Sequence, residues 1–572
     1  MAVIDEIYIK DADNNRLPID SYDNTTIDVI NIDGESYHFA KENSVAGTNK
    51  IVCNDVVAEP LINCVISGNS LQDGTPTPDA PVEIVSVGDK SVNLLEDARD
   101  IYNGGGSNKA HSYAEVIEDG RECIKFTSAS GVTYDKIKFK ENTQYTFSFD
   151  CKDFVHESDF TGSYDIPLGI WYTDGNRKLI TIPKNSDWTK LILVSAANKT
   201  ISHIGIISFT SYTTMYIDIN TFQIQEGSTA TPYEPYYDGY KIPVVQRGIN
   251  LFNKDNLSLL SGKWNVKSIV ATDTGVLITP NAIGNDNGIT RGYCYVMIGL
   301  ASNYSGKTIT LTSPVSYSNA TKPQIFDASG KTMIKQGNNF TLRNGLYYSS
   351  ISIAENTYTD EILVLRLYYD IKDTTITEFE FKELMVVESA DVISYEPYFK
   401  QITNIFLDEP LRKLGDYADC IDFKENKVVR NISEKLFDGS ENWIYEVITG
   451  GNNFYTYIPD AYGNRYLPVL CNMGKYYNGA LEKIYSCRIS ESSNNFNFRY
   501  GDYDNLTDFK NKLAEMYNSN NPLTINYILK EPTEEPLNID LPQLPAQTTI
   551  VEIDTQLAPD SFNIDYWKQI RG

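Results

Sequence analysis

"QYTFSFDC", residues 144–151, sets Tyr145, Phe147, Phe149 and Cys151 on one side of an extended chain and Thr146, Ser148 and Asp150 on the other. Successive side chains of a strand point to opposite faces, so this period of two predicts a strand that buries one face. The pattern recurs in "MYIDINTFQI" (215–224), "KTITLTS" (307–313), "EILVLRLYYDI" (361–371) and "TEFEFKELMVV" (377–387), where Phe379 and Phe381 alternate with Glu378 and Glu380. Turns rich in Gly, Asn and Asp separate these runs, and antiparallel strands that bury one face pack as two sheets. The expected fold is therefore all-β, a tandem of β-sandwich modules of jelly-roll type. Composition agrees: 40 Tyr against 7 Met is the profile of strands and polar loops.

Two stretches of the chain repeat each other. "FQIQEGSTATPYEPY" starts at Phe222 and "LMVVESADVISYEPY" at Leu384, with Glu226 and Glu388 each seven residues before the first Tyr of the shared "YEPY". Upstream, "SVNLLEDA" from Ser91 matches "GINLFNKD" from Gly248. Each unit thus runs from an Asn-Leu start to a YEPY finish over roughly 140 residues, the size of one domain. Pro235 and Pro397 force an extended path. The repeat is expected to mark where each module closes and hands over to the next.

These units define the expected organisation. Residues 1–90 are an N-terminal β anchor followed by a Pro-rich linker, "GTPTPDAP" (74–81). Residues 91–240 and 241–400 are the two modules, 401–435 a β connector, and 436–572 a C-terminal β module. In the last, "DFKNKLAEMY" (508–517) places Phe509, Leu513, Met516 and Tyr517 on one helical face with Thr507 as a cap, and predicts the chain's one helix. "TTIVEIDT" (548–555) alternates like an exposed or edge strand. "DADNN" (11–15) reads as a hairpin turn: the sixth position of a calcium loop would need Gly where Arg16 stands, and the twelfth Glu where Tyr22 stands.

A formal charge of −27 argues against a nucleic-acid partner, and no run approaches the 18 apolar residues of a membrane span. The acidic start "MAVIDEIYIK" is unlike a signal peptide, so a soluble chain made in the cytoplasm is expected. The eight cysteines (Cys53, Cys64, Cys123, Cys151, Cys294, Cys420, Cys471, Cys487) lack any C-x-x-C spacing and read as buried thiols. Of the four histidines (His38, His111, His156, His203), only His156 lies close to a cysteine, Cys151, and nothing nearby completes a zinc site. No metal, no cofactor and no catalytic residue is expected. G-x-S-x-G, P-loop and H-E-x-x-H motifs are missing, and 76 Asp and Glu residues supply carboxylate pairs by chance alone. Glu226 and Glu388 read as structural, because a repeated strand end shares its structure first.

Aromatic rings are better candidates for binding than acids are for cleavage, since the C–H face of a sugar stacks on a flat ring while its hydroxyls seek Asn and Asp. "GIWYTDGNRK" (169–178) puts Trp171 and Tyr172 beside a turn that carries Asp174 and Asn176, and these four are the candidate glycan-binding residues. Neighbours on a strand face opposite ways, so one of the two rings belongs to the core.

Several phrases resemble a known family. "ISGNSLQDGTPTPDAPVEIVSVGDKSVNLL" (66–95), "LDEPLRKLGDYADCIDFKENKVVR" (407–430), "LFDGSENW" (436–443), "NYILKEPTEEPL" (526–537) and "TTIVEIDTQLAPDSFNIDYW" (548–567) together resemble minor structural, tail, baseplate and fibre proteins of phages and prophages of Gram-positive bacteria. "FQIQEGSTATPYEP" (222–235) and "SDWTKLILVS" (186–195) are similar to the closing strands of carbohydrate-binding jelly-roll modules found in such proteins. The resemblance implies a virion component, assembled in the host cytoplasm beside other virion proteins. It implies a homo-oligomer, a trimer, that attaches to host cell-surface polysaccharide. The alternatives are a purely structural head-fibre, decoration or tail-assembly part, and a cell-wall polysaccharide hydrolase.

Overall fold

The computed structural model describes residues 9–10, 16–17, 27–32, 35–46, 49–54, 63–99, 112–128, 132–134, 136–156, 164–182, 187–206, 213–255, 257, 259–260, 262–373, 375–391, 393–448, 451–477, 485–491, 493–500, 503–537, 539, 544–545 and 547–570. Strands dominate them, as the alternation predicts, and Leu506–Asn518 is their one α-helix.

Tyr145, Phe147, Phe149 and Cys151 all point into one core with Ile124, Ile170, Ile204, Ile217 and Ile224. Two sheets enclose it. The smaller runs Val132–Tyr134, Ile201–Ile206, Tyr164–Tyr172, Arg177–Ile182; the larger holds Ser112–Glu118, Arg121–Ser128, Thr213–Asp218, Tyr145–His156 and Thr189–Val194, with Gln223–Glu226 also paired to Tyr145–His156. The second unit is built around its own core of Cys294, Val296, Ile309, Leu311, Leu365 and Leu367. One of its sheets runs Thr290–Leu300, Ile362–Ile371, Lys322–Phe326, Met333–Gln336, visited by the chain in the same order as the smaller sheet of the first unit. Its remaining strands form two sheets, Ser268–Ala271, Gly275–Thr279, Phe379–Lys382 and Thr341–Arg343, Leu346–Ser352, Thr308–Ser313, Met385–Val387, where the first unit has one.

The repeated words have a structural cause. Asn93 and Asn250, the Asn of each "NL" start, are both buried. The Asn93 Oδ1 accepts the Leu95 N–H (3.0 Å) and the Ile224 N–H (3.1 Å), while its Nδ2 donates to the Phe222 carbonyl (3.2 Å). The Asn250 Oδ1 accepts the Phe252 N–H (2.9 Å) and the Val386 N–H (3.1 Å), and its Nδ2 donates to the carbonyls of Glu396 (2.9 Å) and Leu384 (3.4 Å). One side chain therefore staples the entry of each module to its closing strand and satisfies backbone groups that burial would otherwise leave unpaired.

The segments leading to each YEPY act as straps. Thr146 and Ser148, the outward residues of "QYTFSFDC", are buried rather than exposed. The cause is the segment after Glu226, which lies over them: the Thr146 hydroxyl donates to the Gly227 carbonyl (2.7 Å), Gln225 accepts the Thr231 N–H (3.1 Å), and Gln223 accepts the Glu234 N–H (2.8 Å). In the second module the Thr310 hydroxyl donates to the Ser389 carbonyl (2.5 Å). Each tail thus lies against the strand that carries Thr146 or Thr310. Glu226 pairs with Lys140 and Glu388 with Lys307, each at 2.8 Å, so the repeated carboxylates pin the straps.

After each strap the chain returns to a shared central sandwich. Tyr240–Gly248, which follows the first module, lies between Lys400–Leu407, which follows the second, and Thr549–Ile553 near the C-terminus; Lys50–Cys53 completes the row. An eight-stranded sheet holds Ile27–Ile32, Glu35–Ala46, Ser561–Ile570, Asn63–Ser67, Cys420–Asp422, Lys427–Phe437, Leu523–Pro536 and Leu470–Cys471. Ile51, Ile66, Ile242, Val244, Ile405, Val551 and Ile564 form the core of this sandwich. Instead of a linear succession of beads, the two modules are excursions from one body built by strands hundreds of residues apart. "TTIVEIDT" is corrected accordingly: Thr549–Ile553 is an interior strand, paired on both sides, with Thr549, Val551 and Ile553 buried.

Three further details differ from expectation. "GTPTPDAP" docks instead of spanning as an extended linker: Thr77 and Ala80 bond each other's backbones, Pro76 and Pro78 are buried, and the Val82 N–H donates to the Asn472 carbonyl (2.8 Å). The helix is capped by Asn505, whose side chain accepts the Asp508 N–H (2.9 Å), and not by Thr507. Its buried residues are Phe509, Leu513 and Met516, with Phe509 stacked on Phe454 at 3.9 Å, while Tyr517 lies outside. The flanks of "DADNN", Ile9–Lys10 and Arg16–Leu17, pair antiparallel as a hairpin requires, and residues 11–15 themselves lie outside the described residues.

The connector phrase "LDEPLRKLGDYADCIDFKENKVVR" folds as a buried charged knot. Asp419 is fully buried and accepts the N–H groups of Arg412 (3.0 Å), Asn431 (2.8 Å) and Ile432 (3.0 Å), while Arg430 donates to the carbonyls of Pro410 (2.8 Å) and Glu409 (3.0 Å). Buried charges persist only when bonded in this way.

Candidate functional site

The strap covers the Thr146 stretch of the first module's larger sheet, while Ile117 and Ile192 on that sheet stay exposed, so both sheets of the module meet solvent. In the first module the alternation of Tyr164–Tyr172 sends Ile170 and Tyr172 inward and Trp171 outward. Tyr172 is the core ring of the pair: it is buried, and its hydroxyl accepts the Ala196 N–H (2.7 Å). Trp171 is half-buried on the outer face and stacks on His203 of the neighbouring strand, centroids 5.1 Å apart and planes within 13°. The paired Gly169 and Gly205 are buried, and the space above Gly169 is already filled: a Cβ there would meet Leu179 at 2.7 Å and the Trp171 ring at 2.9 Å. A flat indole laid over a glycine offers one ring face for stacking.

Asp174 and Asn176 do not join that platform. Asp174 accepts the Asn176 N–H and side-chain amide (both 2.9 Å) and the Lys199 ammonium (2.8 Å), closing the turn between Tyr164–Tyr172 and Arg177–Ile182. Lys199 first, and Asn176 next, pull the Asp174 carboxyl down to about 2. The second module builds the equivalent turn on Asp327, whose carboxyl is likewise drawn to about 2 by the N–H groups of Thr332 and Lys331. A carboxylate repeated at the same turn and occupied by donors of the protein itself is a turn device. Of the four residues singled out by sequence, Trp171 alone remains on an open face.

The second module's open face was missed by sequence reading and is the richer. Tyr293 and Tyr295 from Thr290–Leu300 and Arg366 and Tyr368 from Ile362–Ile371 are half-buried and point away from the core filled by Cys294, Leu365, Leu367 and Ile325, while Lys322, Gln324 and Phe326 on the neighbouring strand alternate with Ile325 but are themselves buried. Tyr293 sits beside Trp264 (6.0 Å) and Tyr295 (5.3 Å), and Tyr295 meets Phe326 edge-on (4.9 Å). The Arg366 guanidinium lies over the rings of Tyr293 (4.5 Å) and Tyr368 (5.2 Å). The signal was present in "RGYCYV" and "LRLYYD": strands with large residues at both parities cannot bury them all in one core.

Among the described residues no group of three or more His, Cys, Asp or Glu side chains could hold a metal ion, and no helix is long and apolar enough to cross a membrane. The described cysteines are free thiols, and burial pushes those of Cys53, Cys151 and Cys294 up to about 12.

No protein-family model and no curated protein matches the chain. Among solved structures, the chain is similar to the N-terminal CBM22-1–CBM22-2 tandem domain of Paenibacillus barcinonensis Xyn10C, at 13% identity over 53% of this chain and 98% of that one, with a TM-score of 0.21. Two oxalate decarboxylase structures, one a mutant of the Bacillus subtilis enzyme OxdC, cover 50% of this chain and 84% of their own, at 8% and 10% identity with TM-scores of 0.09 and 0.08. At such TM-scores these likenesses add nothing to the fold, which rests on its own strand pairing.

Proposed function

We propose that the chain binds saccharide without cleaving it, as an attachment component of a phage virion whose target is host cell-surface polysaccharide. One observation carries the reading: both modules build a four-stranded sheet with the same strand order and set rings on its outer face, Trp171 in one and Tyr293, Tyr295 and Tyr368, with Trp264 beside them, in the other. Rings fixed on strands offer stacking area at little entropic cost, and single shallow faces bind weakly, so two per chain and several chains per particle turn weak contacts into firm attachment. The virion setting rests on the resemblance of phrases such as "LDEPLRKLGDYADCIDFKENKVVR" (407–430) to those of phage tail and baseplate proteins. The central sandwich, which gathers the chain's N- and C-terminal strands, is the part that would face other virion proteins.

A second reading, assembly without receptor binding, is favoured by the exposed Ile402 and Phe406 on Lys400–Leu407, an outer strand of the central five-stranded sheet. Apolar side chains in such a row suit burial against another copy, in keeping with a closed trimer. The two readings part on one experiment. The purified chain is sedimented with host cell walls while released reducing sugar is measured; Trp171→Ala and Tyr293→Ala combined should reduce wall binding about tenfold or more, at the rate of one to a few kcal/mol per lost ring. Wall binding that ignores both substitutions refutes the reading, and sustained sugar release makes the chain an enzyme.

A further inference from the structure

Lys322 and Arg366 occupy directly paired positions on adjacent strands of the second module's open sheet, and both point outward. Side chains paired in this way start about 5 Å apart at Cβ, so the two cations share one spot. In the described structure neither has a carboxylate within ion-pair reach. The Lys322 ammonium, nearly buried, donates to the Asn339 Oδ1 (3.1 Å). Arg366 is held by the faces of Tyr293 and Tyr368, and its Nε is enclosed with no hydrogen-bond partner. Burial first, and the charge of Arg366 next, hold the Lys322 ammonium below the ordinary lysine range.

Such a pair needs an explanation in this chain. The sequence carries 76 acidic residues against 49 basic ones, so carboxylates to neutralise two neighbouring cations are abundant. Elsewhere they are used: Arg121 lies between Asp150 and Asp218, Lys152 between Glu118 and Asp119, and Arg291, on the same strand as Tyr293, between Asp286 and Asp370. At Lys322 and Arg366 the fold instead brings like charges together, at an electrostatic cost that an anion arriving from outside would relieve. A guanidinium gripped by rings rather than by acceptors keeps its outer donors for that anion, and the planar fork suits a carboxylate or phosphate oxygen pair. Tyr293, Tyr368 and Trp264 surround the same spot with stacking surface.

Resting on the proposed saccharide reading, we infer that the open face of the second module takes an acidic saccharide, its anionic group seated on Lys322 and Arg366 and its ring on Tyr293, Tyr368 or Trp264. A uronate carboxylate and a sugar-linked phosphate present the same oxygen chemistry. Against a chain of net charge −27 this is a local attractive spot in a repelling field, which admits an acidic polymer only where a ring also fits.

The full chain is titrated calorimetrically with three oligosaccharides of equal length, one neutral, one of uronates and one of sugars joined by phosphate, with inorganic phosphate as a control. At least one acidic oligosaccharide should bind about tenfold or more tightly than the neutral one, as expected for charge-assisted hydrogen bonds. Which of the two does so identifies the source of the anion. That advantage should shrink severalfold as salt rises from 50 to 500 mM. Arg366→Gln and, separately, Lys322→Gln should each abolish the advantage of the acidic ligand over the neutral one; circular dichroism identifies a variant that fails to fold, and the other then decides. Equal affinity for all three oligosaccharides, or an acidic preference that survives in both variants, overturns the inference while leaving saccharide binding intact. No heat with any oligosaccharide, together with no wall sedimentation, refutes the parent reading instead. Tight binding of inorganic phosphate alone, undiminished by Tyr293→Ala, would make the spot an anion site with no saccharide role and also overturns the inference.

Discussion

Replacing Asn250 with Ala removes the staple that joins the entry of the second module to its closing strand. Three bonds of good length are lost, from the Phe252 and Val386 N–H groups and to the Glu396 carbonyl, and a longer one to Leu384. The side chain is buried, so water does not replace it freely, and each backbone group left unpaired costs about 1–3 kcal/mol. With partial relaxation, the sum for two donors and one acceptor is about 3–5 kcal/mol. At roughly 2–4 °C per kcal/mol for a module of this size, its melting transition should fall by roughly 6–20 °C. Calorimetry on the full chain reads this as a shift of one transition among several, because each module has a separate core. Hydrogen exchange should accelerate at the Val386 amide. Asn93→Ala should do the same to the first module, with exchange rising at Ile224, and the two losses should add since no contact joins the sites. A drop below about 2 °C in either module would refute the idea that the repeated Asn exists to close the sandwich.

Other outcomes follow from the same geometry. Because burial raises the Cys53, Cys151 and Cys294 thiols to about 12 from 9.0, thiolates form in the unfolded chain first, so stability should be level below pH 9 and decline from pH 9 towards 12; a chain equally stable at pH 8 and 11 contradicts this. A thiol reagent at pH 8 should leave these three untouched until denaturant is added. Asp174 and Asp327, lowered to about 2, should keep their turns intact down to pH 4 and release them only on further acidification, visible as carboxyl titrations near 2 by NMR; midpoints near the ordinary 3.8 would show that the turns are open in solution. Light scattering should report a mass three times 64.4 kDa, and Ile402→Asp with Phe406→Asp should lower it towards the monomer; a wild-type monomer ends the trimer expectation.

Sequence alone made the modules legible because their information is local. A period of two around Phe147 and Phe149 needs no partner strand to be recognised, and the helix at Phe509, Leu513 and Met516 announces its own face. The central sandwich was not legible, since Ile242, Ile405 and Val551 belong to one core only through pairings between segments more than a hundred residues apart, and no local pattern encodes them. "TTIVEIDT" was misjudged for that reason: alternation states how many faces are apolar, not how many edges are paired. At the site, the division between Trp171 and Tyr172 followed from strand parity, whereas Asp174 and Asn176 looked like ligand groups because a turn acid and a sugar-binding acid are the same residue until hydrogen bonds are seen. Arg366 and Lys322 lie 44 residues apart, and only the strand register brings them together.

The claim that these four-stranded sheets bind saccharide is tested most directly by hydrogen-exchange mass spectrometry of the full chain with and without saturating soluble cell-wall saccharide. Protection confined to Tyr164–Tyr172, Ile201–Ile206, Thr290–Leu300, Lys322–Phe326 and Ile362–Ile371, the strands that carry Trp171, His203, Tyr293, Lys322 and Arg366, is the predicted result. Protection on the straps or the central sandwich, with these strands unchanged, would contradict it.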